Sequence, residues 1–295
     1  PKHDGSHMTR IINALITGAS SGIGAALAFE CAGLGMVLHL CGRDAARLEA
    51  SAAACRGLGA VVHARVLDVT DAAAMAAWIA AAGPLDLVVA NAGISAGTGQ
   101  GEAESAAQVR EIFATNLGGV LNTVLPAMAV MEMQAIGFNG LRGKIAVVAS
   151  IAAFVPAPGA PAYCASKAAV DAWVVGSVAS ARRRGIQLTS LCPGYVQSAM
   201  TAGNRFPMPG LMGADRAARI MLRGIAAGRR RVVFPWWMGL AARCVGLLPP
   251  AVSARLLDRA PDDGCDDGNE RDGCGEEHFD PGTVAQNWGS GPANR

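Results

Sequence analysis

The stretch LITGASSGIG, residues 15–24, places Gly18, Gly22 and Gly24 directly after an apolar run. Two kinds of site use such a pattern. Gly18-Ala19-Ser20-Ser21-Gly22 fits the G-x-S-x-G elbow that presents a serine nucleophile on a strand-to-helix turn. The same residues fit a glycine-rich turn that cradles the pyrophosphate of a dinucleotide. An elbow serine needs an acid and then a histidine downstream, because its hydroxyl is inert without a base and the base needs an orienting group. The histidines beyond Ser20 are His39 and His63, both inside β-type runs, and His278 in a polar tail. An elbow also sits on a middle strand of its sheet, whereas this stretch closes the first. The cradle needs a strand before it, a helix after it and no side chain where backbone meets phosphate. Gly18 suits the tight turn, Gly22 the close approach and Gly24 the packing of helix on sheet. The spacing G-x-x-x-G-x-G differs from G-x-G-x-x-G, so its companions carry the decision.

Short apolar runs alternate with helix-like segments along most of the chain. RIINALI, GMVLHLC, AVVHARV, LDLVVA, GKIAVVAS, GIQLTSLC and RVVFP are seven candidate strands. Between them, residues 22–34, 44–58, 71–82, 105–134, 162–183 and 213–227 show helical spacing. Near-continuous apolar strands separated by helices imply a mostly parallel seven-stranded sheet covered on both faces. The expected architecture is α/β: one doubly wound Rossmann-type domain over residues 9–235. Residues 236–260 read as two short amphipathic helices broken at Pro249-Pro250. Residues 1–8 contain Gly5-Ser6-His7-Met8, which looks like the scar of a cleaved purification tag. Residues 261–295 are rich in Gly and Asp and lack periodicity, so disorder is expected there.

Further motifs accompany the turn. Asn91-Ala92-Gly93 follows the fourth run, Asn116 lies in ATNLGGV, Ser150 ends the fifth run, Tyr163-Cys164-Ala165-Ser166-Lys167 forms Y-x-x-x-K, and Pro193-Gly194 follows the sixth run. With Thr17 to Gly24, in this order, they resemble the short-chain dehydrogenase/reductase family in its single-domain classical subgroup. The resemblance implies a dinucleotide-dependent oxidoreductase. Its cofactor turn would include Ser20, Ser21 and Ile23 beside the three glycines.

The chemistry of the tyrosine and lysine is readable without the family. Tyr163 and Lys167, four apart on a helix, share a face. A tyrosine has an ordinary pKa near ~10, too high for an efficient base at neutral pH. A neighbouring ammonium and a bound nicotinamide cation both favour phenolate. Ser150 would donate to the substrate oxygen as charge develops there. The resemblance further implies that Lys167 grips the nicotinamide ribose and Asn116 holds a relay water. By the same resemblance Asp68 and Val69 contact the adenine, and Val196 and Ser198 bind the nicotinamide carboxamide after Pro193 and Gly194. Ser198 stands where the family more often has threonine.

Cofactor choice turns on the end of the second strand, where an acid would bind the ribose 2′-hydroxyl and an arginine would accommodate a 2′-phosphate. Cys41 and Gly42 occupy the acid's place and Arg43 follows, which predicts NADP(H); Asp44 is expected to cap the next helix. NAD(H) dependence and a non-catalytic dinucleotide-binding role are the alternatives. Met200, Phe206, Met208, Leu211 and Met212 make the loop after the sixth strand apolar. A flexible methionine-rich lining suits a hydrophobic ketone, aldehyde or secondary alcohol.

The bulk composition excludes other classes. Of 295 residues, 52% are hydrophobic and 16% charged, and no uninterrupted apolar run is long enough to span a bilayer. No secretion signal follows Met8, so the expected location is the cytoplasm. Net charge is +2, with nine acids against two arginines from Asp262 onward, which leaves a basic body and an acidic tail. The runs at 182–184 and 229–231 read as solvated helix ends. Without an aromatic stacking platform they do not predict nucleic-acid binding. The eight cysteines form no C-x-x-C pair, which excludes a zinc or disulfide framework and reads as buried free thiols. Residues 229–250 combine arginines, a Trp pair and an apolar helix. They are expected to close the pocket or form a subunit contact, with weak contact at a membrane surface as the alternative. The family's usual homodimer or homotetramer would form through helices 105–134 and 162–183.

Overall fold

The computed structural model describes residues 12–95, 103–137, 140–202 and 207–257. The tag-like start, the acidic tail and Phe206 lie outside the described residues. The seven expected strands are all present: β1 (Asn13–Thr17), β2 (Val37–Gly42), β3 (Val61–Val66), β4 (Leu87–Ala90), β5 (Gly143–Val148), β6 (Ile186–Pro193) and β7 (Arg231–Phe234). They form one parallel sheet in the order β3-β2-β1-β4-β5-β6-β7. Chain direction across the sheet reverses between β1 and β4. Their carboxyl ends therefore frame the crevice where open α/β sheets take ligands.

Burial explains why the strands read as apolar runs. Leu15 points into one core and Ala14 and Ile16 into the other, so both faces of β1 are dry. The edge strand β3 leaves Val61 and Val66 exposed. One face is covered by α1 (Gly22–Cys31), α2 (Ala45–Gly57) and α8 (Ala214–Ala226). The other is covered by α3 (Ala72–Ala81), α5 (Gly119–Glu132) and α6 (Pro161–Arg183). Asp44, as expected, accepts from the Arg47 amide and caps α2. Asp71 caps α3, and Ser105 caps α4 (Ala106–Phe113).

The helix expected over 105–134 is interrupted. Between α4 and α5 lies a π-helical turn, Ala114–Gly118, with Asn116 inside it. The helix over 106–132 is long and apolar enough to cross a membrane by length and composition. It is nonetheless a core helix here, with Val120, Val124, Ala127 and Met131 packed under the sheet.

A short helix α7 (Ala199–Ala202) follows β6. After β7 come α9 (Trp236–Gly246) and α10 (Pro250–Leu257), separated at the two prolines as expected. Helix α9 docks through small residues. Gly239 lies against Val233 and Gly246 against the Phe154 carbonyl, while Trp236 and Leu247 point outward at 74% and 85% exposure. Cys31, Cys41, Cys55, Cys164 and Cys192 are buried free thiols; Cys244 is an exposed one.

Candidate active site

The carboxyl ends of β1 and β4 are tied together across the crevice. Thr17 Oγ1 accepts from the amides of Asn91 (3.0 Å) and Ala92 (3.1 Å). The Asn91 side chain donates to the carbonyls of Thr17 (3.0 Å) and Gly18 (3.2 Å). Gly18 and Gly22 adopt positive φ, +65° and +54°, which disfavours any side chain there. A Cβ on Gly18 would lie 2.9 Å from Ala92 Cα, and one on Gly24 would collide with the Gly18 carbonyl. Gly22 lies under the loop after β6: a Cβ there would sit 3.0 Å from Ser198 Cβ. Unlike α2, α3 and α4, helix α1 receives no side-chain hydrogen bond from its N-cap, Ser21. Its first amides keep their capacity to donate to an anion. This cradle of Gly18, Ser20, Ser21, Gly22, Ile23 and Gly24 fits the pyrophosphate of a dinucleotide.

The end of β2 abuts the same turn. The Ala19 amide donates to the Cys41 carbonyl at 2.9 Å, and a Cβ on Gly42 would lie 3.0 Å from Ser20 Oγ. Cys41 is buried and Gly42 carries no side chain, so the first side chain presented outward is Arg43, which is 58% exposed. Arg43 Nη1 lies 3.9 Å from Asp68 Oδ2. Asp68 Oδ1 accepts from the Thr70 amide and hydroxyl, both at 2.9 Å, and the Val69 carbonyl accepts from Asn122.

Asn116, Lys167 and Gly93 meet behind β4. A Cβ on Gly93 would lie 3.1 Å from Asn116 Oδ1 and 3.3 Å from Lys167 Nζ. Asn116 Nδ2 donates to Ser166 Oγ, whose own hydroxyl donates to the Tyr163 carbonyl. Lys167 donates to the Val148 carbonyl at 2.8 Å, with Nζ 5.8 Å from the Tyr163 ring centroid. Burial lowers the Lys167 pKa to about 8.

Tyr163 is half-buried beside Ser150. Burial raises its pKa, and a hydrogen bond from the Ser150 hydroxyl opposes the rise. The Lys167 ammonium is turned toward the Val148 carbonyl. The side chain of Asn116 is likewise occupied by Ile94 and Ser166.

The ends of β5 and β6 and helix α9 lie together beside Ser150. The Gly194 amide donates to the Phe234 carbonyl, and a Cβ on Gly194 would lie 2.9 Å from Met238 Sδ. Val196 pairs with Met212. Trp237 and Pro235 crowd Gly210 in the loop beyond Pro193. Met238 thus packs on Gly194 and Trp237 on Gly210, while Trp236 is exposed. Met200 and Leu211 are 43% and 40% exposed.

Arg231, expected both to open the strand RVVFP and to belong to a solvated arginine run, does open β7 but is paired with a buried acid. Its Nε and Nη2 donate to Asp171 Oδ1 (2.9 Å) and Oδ2 (2.6 Å). Asp171 lies four residues beyond Lys167 on α6, continuing the 163/167 face; that spacing was the available signal.

Comparison with known proteins agrees with this geometry. The family model for short chain dehydrogenase matches residues 12–207. An uncharacterised oxidoreductase of Myxococcus xanthus is 38% identical over 243 residues, covering 80% of this chain and 92% of that protein. An uncharacterised oxidoreductase of Mycobacterium tuberculosis is 32% identical over 252 residues, covering 82% and 96%. A short-chain dehydrogenase/reductase from Burkholderia phymatum, solved with NAD, superposes with a TM-score of 0.69 at 26% identity, covering 78% of this chain and 91% of that one. A short-chain dehydrogenase from Sphingobium yanoikuyae, solved with NADPH, does so at 0.67 and 26% identity, covering 81% and 97%. With its parallel sheet, glycine cradle and Y-x-x-x-K helix, the chain belongs to the short-chain dehydrogenase/reductase family of oxidoreductases.

Proposed function

We propose that the protein is an NADP(H)-dependent oxidoreductase acting between a hydrophobic ketone or aldehyde and the corresponding alcohol, with Tyr163 as general acid and base. The observation that carries the reading is the meeting of Asn116, Ser150, Tyr163 and Lys167 beside the glycine cradle. The cradle would hold the pyrophosphate and Arg43 the 2′-phosphate. Asp68 and Val69 would flank the adenine, Lys167 the nicotinamide ribose, and Pro193, Gly194, Val196 and Ser198 the carboxamide. Once bound, the nicotinamide supplies or accepts the hydride.

The chain's own groups handle the oxygen. Ser150 donates to the carbonyl oxygen as negative charge grows on it. Tyr163 delivers its hydroxyl proton to that oxygen in reduction and removes it in oxidation. Lys167, with its pKa near 8, exchanges protons in the neutral range and can restore the Tyr163 proton. Met200, Leu211, Trp237 and Met238 supply apolar surface for the substrate's remainder. Leu125, exposed on α5, supports assembly through the long helices.

The reading of NADP(H) rests on the absence of a carboxylate at the end of β2 and on the exposure of Arg43. A second reading, NAD(H), is favoured by Asp68, which partly neutralises Arg43. Titration with NADPH and with NADH, followed by cofactor fluorescence at fixed salt, tests both. Much tighter NADPH binding is expected, followed by reduction of apolar carbonyls. The reverse preference overturns the cofactor assignment, and binding of neither overturns the proposed function.

A further inference from the structure

We propose that Phe154, Arg231 and Arg243 are positioning residues that hold the Ser150 hydroxyl against Tyr163. The inference rests on the reading of Ser150 and Tyr163 as catalytic partners. Ser150 caps a 3-10 turn, Ile151–Phe154; its hydroxyl oxygen accepts from the Ala152 amide at 3.1 Å. Its carbonyl accepts from the Ala153 amide at 3.1 Å. These bonds are internal to the turn, so Ser150 and the turn move as one body.

The far end is fixed by two cations. The Arg243 guanidinium lies 4.5 Å from the Phe154 ring centroid and that of Arg231 5.5 Å away. Both distances are within the range of cation–π attraction. The α9 backbone at Gly246 abuts the Phe154 carbonyl so closely that a Cβ would collide with it. The ring is thus gripped from β7 and from α9.

Arg231 also touches the opposite side of the site. Its fork binds both oxygens of Asp171, which is buried on α6 and accepts a further bond from Ser190 at 2.7 Å. Tyr163, Lys167 and Asp171 recur every four residues on that helix, so one guanidinium bridges the Tyr163 helix and the Ser150 turn. A bidentate pair fixes the guanidinium plane, which makes it a rigid spacer. A turn freed at Phe154 would swing the Ser150 hydroxyl off the phenol.

The test reads Tyr163 directly. The chain has two tyrosines, Tyr163 and Tyr195, so [13Cζ]tyrosine NMR gives two signals that a Tyr195→Phe variant assigns. A hydrogen bond donated to a phenolate favours it, so its loss moves the titration to higher pH. Ser150→Ala sets the full shift. Phe154→Leu and Arg243→Met are expected to move Tyr163 in the same direction, and Phe154→Trp, which keeps a ring, to stay near the parent. With an aryl methyl ketone as substrate, kcat falls on the order of tenfold in the first two variants, while NADPH affinity stays unchanged. Arg243 is exposed, so its variant reports on positioning even where Phe154→Leu perturbs folding. A parent-like Tyr163 titration in Phe154→Leu and Arg243→Met, with Ser150→Ala shifted, overturns the positioning role alone. No shift in Ser150→Ala overturns the catalytic pairing together with this inference.

Discussion

The Asn116 carboxamide binds both backbone groups of Ile94: Oδ1 accepts from its amide at 2.8 Å and Nδ2 donates to its carbonyl at 2.9 Å. The side chain thereby does for the segment leaving β4 what a neighbouring strand would do. Because the same Nδ2 also donates to Ser166, the segment is tied to α6 one residue before Lys167.

Asn116→Leu keeps the branched side-chain shape and leaves the part-buried Ile94 amide and carbonyl without their partner. Each group so orphaned costs up to about 1–3 kcal/mol, the penalty for full burial. A thermal midpoint several degrees below the parent is expected by calorimetry, together with lower activity. An unchanged midpoint would show that water replaces the carboxamide at no cost.

Lys167 makes stability depend on pH. Its pKa is about 8 in the fold against an ordinary 10.5. Between these values the unfolded chain holds a proton that the folded chain has released, so stability rises as pH climbs from 8 to 10.5. Below pH 8 burial of the ammonium costs roughly 3 kcal/mol, at about 1.4 kcal/mol per pH unit. Lys167→Met is expected to be inactive yet more stable than the parent at pH 7, by roughly 1–3 kcal/mol once the lost bond to Val148 is deducted. The gain should vanish near pH 10.5. Denaturant unfolding at pH 7 and pH 10 reads both, and a variant less stable at pH 7 contradicts the argument.

Gly24→Ala inverts the usual rule for helices. In an ordinary helix interior alanine is better than glycine by about 1 kcal/mol. Here the methyl group would strike the Gly18 carbonyl. Loss of dinucleotide binding is expected in equilibrium titration, with a lowered thermal midpoint. Gly33, with open space around it, is the control position: alanine there should leave cofactor binding intact.

Arg43→Ala separates the two cofactors. If the guanidinium binds a 2′-phosphate, affinity for NADPH falls by roughly tenfold or more, the loss of a charge-assisted contact of about 1.5–3 kcal/mol. Affinity for NADH stays within about twofold. Equal weakening of both would assign Arg43 to the loop rather than to the phosphate.

The central strands were legible because parallel strands buried on both faces are nearly continuous apolar runs, edge strand β3 from its valines although His63 and Arg65 interrupt it, and the Tyr163–Lys167 face because helical spacing is local. The π-turn at Asn116 was hidden, since apolar residues continue through it and only the bonds to Ile94 and Ser166, 22 and 50 positions away, reveal why it forms. Arg231 was misread because its partner lies 60 residues earlier and the adjacent Arg229 and Arg230 are exposed. The direction of the Lys167 ammonium, toward the Val148 carbonyl, is not contained in the four-residue spacing.

The sheet order also constrains synthesis. β1 leaves the ribosome before β2 and β4, yet it lies between them. One edge gains its neighbour when Val37–Gly42 has emerged, but the other stays open until Leu87–Ala90 follows. From Gly42 until Ala90 the nascent chain carries a paired, apolar ribbon with a bare edge, a form prone to sticking to another chain. The hydroxyl of Thr17, which later grips Asn91 and Ala92, spends that time waiting for residues not yet made.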